Sequence, residues 1–542
     1  MTREPPLVAA ARRLSAASPE RAADMLEAAI AAHPTSLAAH WQRATVNADL
    51  FLKALMRDGR RDEERRERAL AAYEHALTLL DSHDSETRVE AHRKCAMLLS
   101  SDGHSEQQRS HLRAALALKP SLGTLHHELG ASLLGSGSSS ENNGVLDEAI
   151  SAFEQAAELQ PVELGPSAAC SLGVARTRQQ QHESAERSLR TCLETAAPSQ
   201  LFYAGLSTER PDGGGLAASL LERALDVESP GAADNDQTRT AAFYAIGRMR
   251  TNAGDLAGAR QTYDRAVREG VWRHPLQRPG YMWRSVTTSA PWPTAATFAA
   301  DDEAVKSRWR IVEEVAKTLE AHAAGMQEEL STLLPSVSGD ADDEGDCEEG
   351  DASLLASGGV DTERLAEAAP NALEVDAVDQ PNVTRWRQWV FVKDGRPTTL
   401  LRPGAAEDAN AAPAIAKTRL AVEAALAAAG ALGEKLPRGS VELSVLHPRT
   451  RIRAHCGPTN HRLRLHLGLS IPEESSLVVA GEARRWREGG TLIFDDSYEH
   501  QVWNNASNRA RVVLIFDTWH PAMPPAAREA VREALWSPAR AL

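Results

Sequence analysis

The sequence predicts two folds in series: an all-α solenoid of helical hairpins, then a small antiparallel β-barrel of the jelly-roll or cupin kind. Three observations carry this. Five stretches in the first half repeat one small–large–small pattern at helical spacing. The last fifth alternates apolar and polar residues over short runs separated by Gly, Pro and Asn. Between them, at 339–359, eight of the first thirteen residues are acidic and none is aromatic, the composition of a solvated linker. The expected layout is helical repeats over 1–270, an aromatic joint and helix over 271–335, an acidic linker over 336–380 and the β-domain over 381–535, with its core at 440–521.

Length and charge narrow the possibilities. At 542 residues the chain exceeds one ordinary core. A formal charge of −15 argues against non-specific nucleic-acid binding by the whole chain. No apolar run approaches the roughly 18 residues of a membrane span. The five cysteines are scattered and form no CxxC pair, so neither a disulfide framework nor a cysteine zinc site is expected. That usage fits a reducing, cytoplasmic setting.

The helical repeats come first in the chain. Ala22/Leu26/Ala29, Ala69/Tyr73/Ala76, Ala149/Phe153/Ala156, Ala217/Leu221/Ala224 and Ala259/Tyr263/Ala266 share the spacing of the second helix of a tetratricopeptide-like (TPR-like) repeat. Small residues let two helices approach, and the large one fills the groove between them. Leu129-Gly130, Leu172-Gly173 and Ile246-Gly247 mark the first helices, and Pro34, Pro120 and Pro161 mark helix ends. Such an array offers a surface for a peptide or protein, or serves only as a prop for the β-domain.

The joint at 271–293 holds three tryptophans, four prolines and a tyrosine, a density that predicts an ordered, non-helical segment buried against something. A helix is expected at 304–322, a strand and turn at 384–397 with the bend at Asp394-Gly395, and a helix over 416–433.

The β-domain carries the chemistry. Strands are expected at 441–447, 462–469, 476–479, 491–494, 501–503 and 511–517. In the run 462–467, Arg462, Arg464 and His466 share one strand face and three leucines share the other. His455 and His500 each stand at a strand end beside a turn. A cationic strand face near two histidines is a seat for a metal ion and a small anion.

The stretches HPRTRIRAHCGPTNHRLRLHLGLSIP, WREGGTLIFDDSYEHQVWN and RVVLIFDTWHP closely resemble the aspartyl/asparaginyl β-hydroxylases, which are 2-oxoglutarate/Fe(II) oxygenases. The likeness covers about 80 residues, 444–521. The joint and the helical repeats also resemble the domain order of the animal members. The resemblance implies a double-stranded β-helix with His455 and His500 as iron ligands. Gly457 stands where many related sites place a carboxylate. The animal members lack it too, which implies a two-histidine site completed by co-substrate and water. It further implies that Asp496 holds an iron-side water, that Ser444 and Arg511 bind the far carboxylate of 2-oxoglutarate, and that Arg464 and His466 lie near its iron-side carboxylate. The stretch between His500 and Arg511 is one residue longer than in animal members, so Arg509 is a rival anchor. Strand phase favours Arg511, which begins the apolar run VVLIF. Arg462 shares the face of Arg464 and is expected to reach an acidic substrate. The reaction implied uses Fe(II), 2-oxoglutarate and O2 to hydroxylate Asp or Asn side chains of a peptide or protein, releasing succinate and CO2. Proline, a lipid or a free amino acid are alternative substrates. A helical scaffold with an inactive barrel, or a zinc cupin isomerase, are alternatives of another kind.

Overall fold

The computed structural model describes residues 6–15, 17–58, 63–81, 84–100, 104–136, 143–209, 216–227, 236–333, 373–375, 386–398, 400–401, 415–433 and 435–536. The expected acidic linker at 336–380 lies outside these residues apart from 373–375. Among the described residues no helix is long and apolar enough to cross a membrane. The chain forms two compact units.

The first unit holds twelve helices among the described residues, from Pro6–Leu14 to Ala217–Val227. They pack as antiparallel hairpins for the reason the repeat pattern gives. A Cβ on Gly130 would stand 2.8 Å from the ring of Phe153, and one on Gly173 would stand 2.4 Å from Leu189. In these hairpins the large residue of the second helix lies directly on the glycine of the first. Ala22, Leu26, Ala29, Ala149, Phe153 and Ala156 are all fully buried.

One expectation is overturned here. Cys170 and Cys192 form a disulfide, with their Cα atoms 4.9 Å apart. Cys170 lies on helix Gly165–Arg178 and Cys192 on its antiparallel partner, His182–Thr195. With Ala185 and Leu189, Cys192 completes a further copy of the small–large–small pattern. It occupies the small position where the two helices come closest, so the packing itself brings the two sulfurs together. The bond is at odds with the reducing setting expected from cysteine number.

The second unit begins earlier than expected. The hairpin Asp236–Asn252 and Leu256–Arg268, which carries the last repeat motif, groups with the β-domain rather than with the other repeats. Its strands are β1 (Leu373–Val375), β2 (Trp386–Lys393), β3 (Arg396–Pro397), β4 (Ser440–Leu446), β5 (Thr450–His455), β6 (Arg462–Ser470), β7 (Ser475–Val479), β8 (Glu482–Arg484), β9 (Thr491–Phe494), β10 (His500–Asn504) and β11 (Arg511–Trp519). They form two antiparallel sheets, ordered β1-β5-β10-β7-β8 and β3-β2-β4-β11-β6-β9. This is the expected double-stranded β-helix, with Asp394-Gly395 at the β2–β3 turn.

The six-stranded sheet buries both faces but fills them differently. Leu463, Leu465 and Leu467 of β6 join Val512, Leu514 and Phe516 of β11 under helices Glu303–Leu333 and Ala416–Ala429. The inner face meets the other sheet through Leu446, Ile452, Leu477, Phe494, Val513 and Ile515. A one-residue slip of β6 would put two arginines and a histidine under the helices in place of three leucines. Each buried leucine contributes roughly 2 kcal/mol, so the register is strongly held. That register delivers Arg462, Arg464 and His466 to the barrel interior.

Candidate active site

β5 and β10 pair so that His455 faces His500 across the ladder. Their rings lie 4.2 Å apart and tilted by 51°. His455 Nδ1 is 2.8 Å from the Arg453 carbonyl and His500 Nδ1 is 2.9 Å from the Tyr498 carbonyl. A carbonyl only accepts, so each Nδ1 carries the proton and each Nε2 presents its lone pair. Burial, then the neighbouring His455, pushes His500 down to about 3, which keeps the ring neutral. Two neutral imidazoles at adjacent strand ends, both with Nε2 available, fit a divalent metal such as Fe(II).

Among the described residues no cluster of three or more His, Cys, Asp or Glu is arranged to hold a metal. Gly457 shows why the usual carboxylate is missing. A Cβ there would stand 2.5 Å from Asp496 Oδ2, and the Gly457 N–H donates to the Asp496 carbonyl at 2.6 Å. The side chain of Asp496 fills the space a ligand at 457 would need.

Beside the histidines lies a closed ion network. Arg464 donates to Asp517 through Nε at 2.8 Å and Nη2 at 2.9 Å, a bidentate pair, with Asp496 3.5 Å away. Arg462 Nη2 meets Asp496 Oδ2 at 2.5 Å and Nη1 lies 3.2 Å from Asp517. Arg462 also donates to the Arg438 carbonyl. Burial alone would raise Asp496, but Arg462 and Arg464 outweigh it and hold its carboxyl well below the usual range. Arg462 therefore does not reach out to a substrate as expected. It is 4 % exposed, and two carboxylates and a carbonyl take its guanidinium inside the barrel. Arg464 is likewise committed to Asp517 before any co-substrate carboxylate. Asp517 was not anticipated. Its signal is a lone acid in the run VVLIFDTW, in phase with Arg511 and directly opposite Arg464 in the β6–β11 register.

Deeper in the barrel the charges are open. Arg511 is 1 % exposed, and its Nε and Nη2 have no hydrogen-bond partner among the described residues. Burial lowers it to about 9, still protonated at neutral pH. Both ring nitrogens of His466 are also buried without a partner among the described residues. Burial, then Arg464 and Arg511, holds His466 neutral, well below its usual range. Trp486 lies over both groups, its ring 5.3 Å from the Arg511 guanidinium carbon and stacked at 6.1 Å on His466. The Ser444 hydroxyl accepts from Trp386 Nε1 at 3.0 Å and sits one diagonal step from Arg511 in the β4–β11 ladder. A buried guanidinium with unmet donors is costly unless an anion completes it. Arg509, the rival anchor, is half-exposed and paired instead with Glu488.

Two facing histidines and a buried, unmet arginine thus lie inside a double-stranded β-helix. Comparison with known proteins adds a likeness: residues 355–521 match the model of the aspartyl/asparaginyl beta-hydroxylase family. The aspartyl/asparaginyl beta-hydroxylase of Mus musculus is 50 % identical over 95 residues, which span 17 % of this chain and 13 % of that protein. Aspartate beta-hydroxylase domain-containing protein 1 of Mus musculus is 48 % identical over 95 residues, 17 % of this chain and 26 % of the relative. The matched stretches cover under a third of each relative. The C-terminal part of a TPR repeat-containing protein from Cytophaga hutchinsonii covers 48 % of this chain and 94 % of its own, at 17 % identity and a TM-score of 0.35.

Proposed function

We propose that the C-terminal unit is a 2-oxoglutarate- and Fe(II)-dependent hydroxylase acting on a peptide or protein, with the β-carbon of Asp or Asn as its target. The observation that carries this is the unmet Arg511 and His466 pair beside two histidines with free Nε2 atoms. The names of the matched relatives support the target residue. The balance is one 2-oxoglutarate, one O2 and one C–H bond giving succinate, CO2 and C–OH.

His455 and His500 would hold Fe(II), which supplies the activation of dioxygen when bound. The chain's own residues do the rest. The Arg511 guanidinium and the Ser444 hydroxyl bind the far carboxylate, and Trp386 fixes that hydroxyl in place. His466, kept neutral, donates one N–H to the co-substrate. Trp486 covers Arg511 and His466 and excludes water from the charge pair. Asp496 stays ionised between Arg462 and Arg464 and accepts a hydrogen bond from a water near the histidines. The helical array is the candidate surface for engaging the peptide.

The test is succinate formation from 2-oxoglutarate with Fe(II) and ascorbate, comparing the wild type with His455→Ala/His500→Ala over a panel of Asp- and Asn-containing peptides. Turnover lost in the double variant, with a peptide gaining about 16 mass units, supports the proposal. Succinate without any modified peptide removes the peptide-substrate part. No succinate from metal-loaded wild type removes the enzyme reading and favours a scaffold.

A further inference from the structure

The last helical hairpin and the joint are stitched to both histidine-bearing loops, and one side chain stands at the crossing. The Leu276 carbonyl accepts from the Glu499 N–H at 2.6 Å, next to His500. The same carbonyl lies 3.9 Å from Cys456 Sγ, next to His455. The Arg278 N–H donates to the Ser497 carbonyl at 3.2 Å, and the Tyr281 N–H donates to the Pro458 carbonyl at 2.9 Å. Gln277 and Tyr281 form single β-bridges with Tyr498 and Thr459. The joint therefore behaves as an extra strand that fixes one histidine loop against the other.

Arg278 locks that strand in place. It is 7 % exposed, donates to the Pro275 carbonyl at 2.7 Å and pairs with the carboxylate of Glu499. Its guanidinium carbon lies 4.1 Å from the centre of the Tyr263 ring. Tyr263 is the large residue of the last repeat motif. Its other contacts are those of a repeat: a Cβ on Gly247 would stand 2.0 Å from the ring, and its hydroxyl is 3.2 Å from Thr251 Oγ1. The same tyrosine thus closes the helical hairpin and carries the arginine that holds Glu499. Trp272 lies 6.0 Å from Tyr263 and 6.2 Å from Phe243, and its Nε1 donates to the Pro279 carbonyl at 3.3 Å.

We infer that Arg278 is a positioning residue for the metal seat: through Glu499 and the Leu276 carbonyl it sets the spacing of His500 and His455, and through Tyr263 it links that spacing to the terminal helical hairpin. The inference rests on reading His455 and His500 as the metal ligands. It explains why this hairpin groups with the barrel and not with the other repeats. A load on the hairpin would reach the histidines through one buried cation, without a contact to the metal.

The experiment is an anaerobic Co(II) titration of the full chain, following the visible absorption of the bound ion, with thermal unfolding and hydrogen exchange of 455–459 and 497–501 measured on the same samples. Arg278→Gln is expected to weaken Co(II) binding about tenfold, to alter the Co(II) spectrum and to speed exchange in both loops. Arg278→Lys, which keeps the charge and loses the fork, recovers part of each. Tyr263→Leu places at 263 the kind of residue found at 189 and 221. It is expected to weaken binding roughly threefold, the worth of one cation–π contact. If Arg278→Gln does not fold, Tyr263→Leu decides, and unchanged affinity and exchange in it overturn the link. A purely structural role lowers the melting temperature but leaves Co(II) affinity and spectrum as in wild type, and that result overturns the positioning role while the metal reading stands. Wild-type Co(II) binding that His455→Ala leaves untouched overturns the metal reading itself, and the positioning role with it.

Discussion

The two halves of the barrel interior use the same residue type in opposite ways. Arg462 and Arg464 are paired with Asp496 and Asp517 in a closed network. Arg511, on the strand that also carries Asp517, has no ion-pair partner among the described residues. Paired buried arginines are structure: their charge is already met inside the chain. An unpaired buried arginine is an incomplete site, because the fold bears its desolvation without return until an anion arrives. The difference separates arginines whose charge is met inside the chain from one that the proposed function gives to an anion, among residues that a sequence shows as equivalent.

The sharpest way to break this contrast is to open the closed half. Asp517→Ala leaves Arg464 and Arg462 buried with one carboxylate fewer, and the expected loss in denaturant unfolding is about 3–5 kcal/mol. A loss below about 1 kcal/mol would mean that the network contributes little to holding the barrel together.

Acid separates the halves by titration. Burial holds His461, His500 and His520 down to about 3. The unfolded chain protonates these rings near the ordinary histidine value while the folded chain does not. Stability is therefore complete above about pH 6.5 and declines as pH falls from there towards about 3, by about 1.4 kcal/mol per histidine at pH 5.5. Asp496, held low by its arginines, stays ionised across that window. In metal-free protein, His520→Gln should flatten the decline by one histidine's share in melts from pH 7 to 5. An unchanged slope would show that the buried rings are not the acid-sensitive groups.

Gly457→Asp restores the carboxylate position that this site lacks, but its Cβ meets Asp496. The expected outcome is a loss of about 1–3 kcal/mol from overpacking, with no gain in Co(II) affinity. A tighter, equally stable variant would contradict the view that Asp496 fills that space.

The smallest effects fall on the open half. Arg511→Met should be neutral or stabilising by about 1 kcal/mol in the ligand-free protein, since it removes an unmet buried charge. Arg509→Ala, which breaks only the surface pair with Glu488, should cost less than about 1 kcal/mol.

Much of this fold was legible because its signals are local. Helical spacing places Gly173 against Leu189 within one hairpin, and strand phase alone puts Arg462, Arg464 and His466 on a common face. Partnership was not legible. Which carboxylates Arg462 meets depends on β6 lying between β11, which carries Asp517, and β9, which leads into Asp496, pairings between stretches some thirty to fifty residues apart. Hence an arginine expected at a substrate turned inward to Asp496 and Asp517. The Cys170–Cys192 bond was missed for a related reason. Cysteine counting takes no notice of helix packing, whereas the repeat pattern placed Cys192 at the position of closest approach. The joint was recognised by its aromatics, but its role as a strand between the two histidine loops required the bridges to Tyr498 and Thr459.

The most direct test of the central claim is calorimetric binding of 2-oxoglutarate to Mn(II)-loaded protein, wild type against Arg511→Met, with melting temperature measured alongside. The open pocket predicts an affinity loss of at least about tenfold, the worth of one charge-assisted bidentate contact, with the melting temperature of the ligand-free protein unchanged or higher. Equal affinity in the two proteins would contradict the account, as would a loss of affinity that only accompanies a loss of fold.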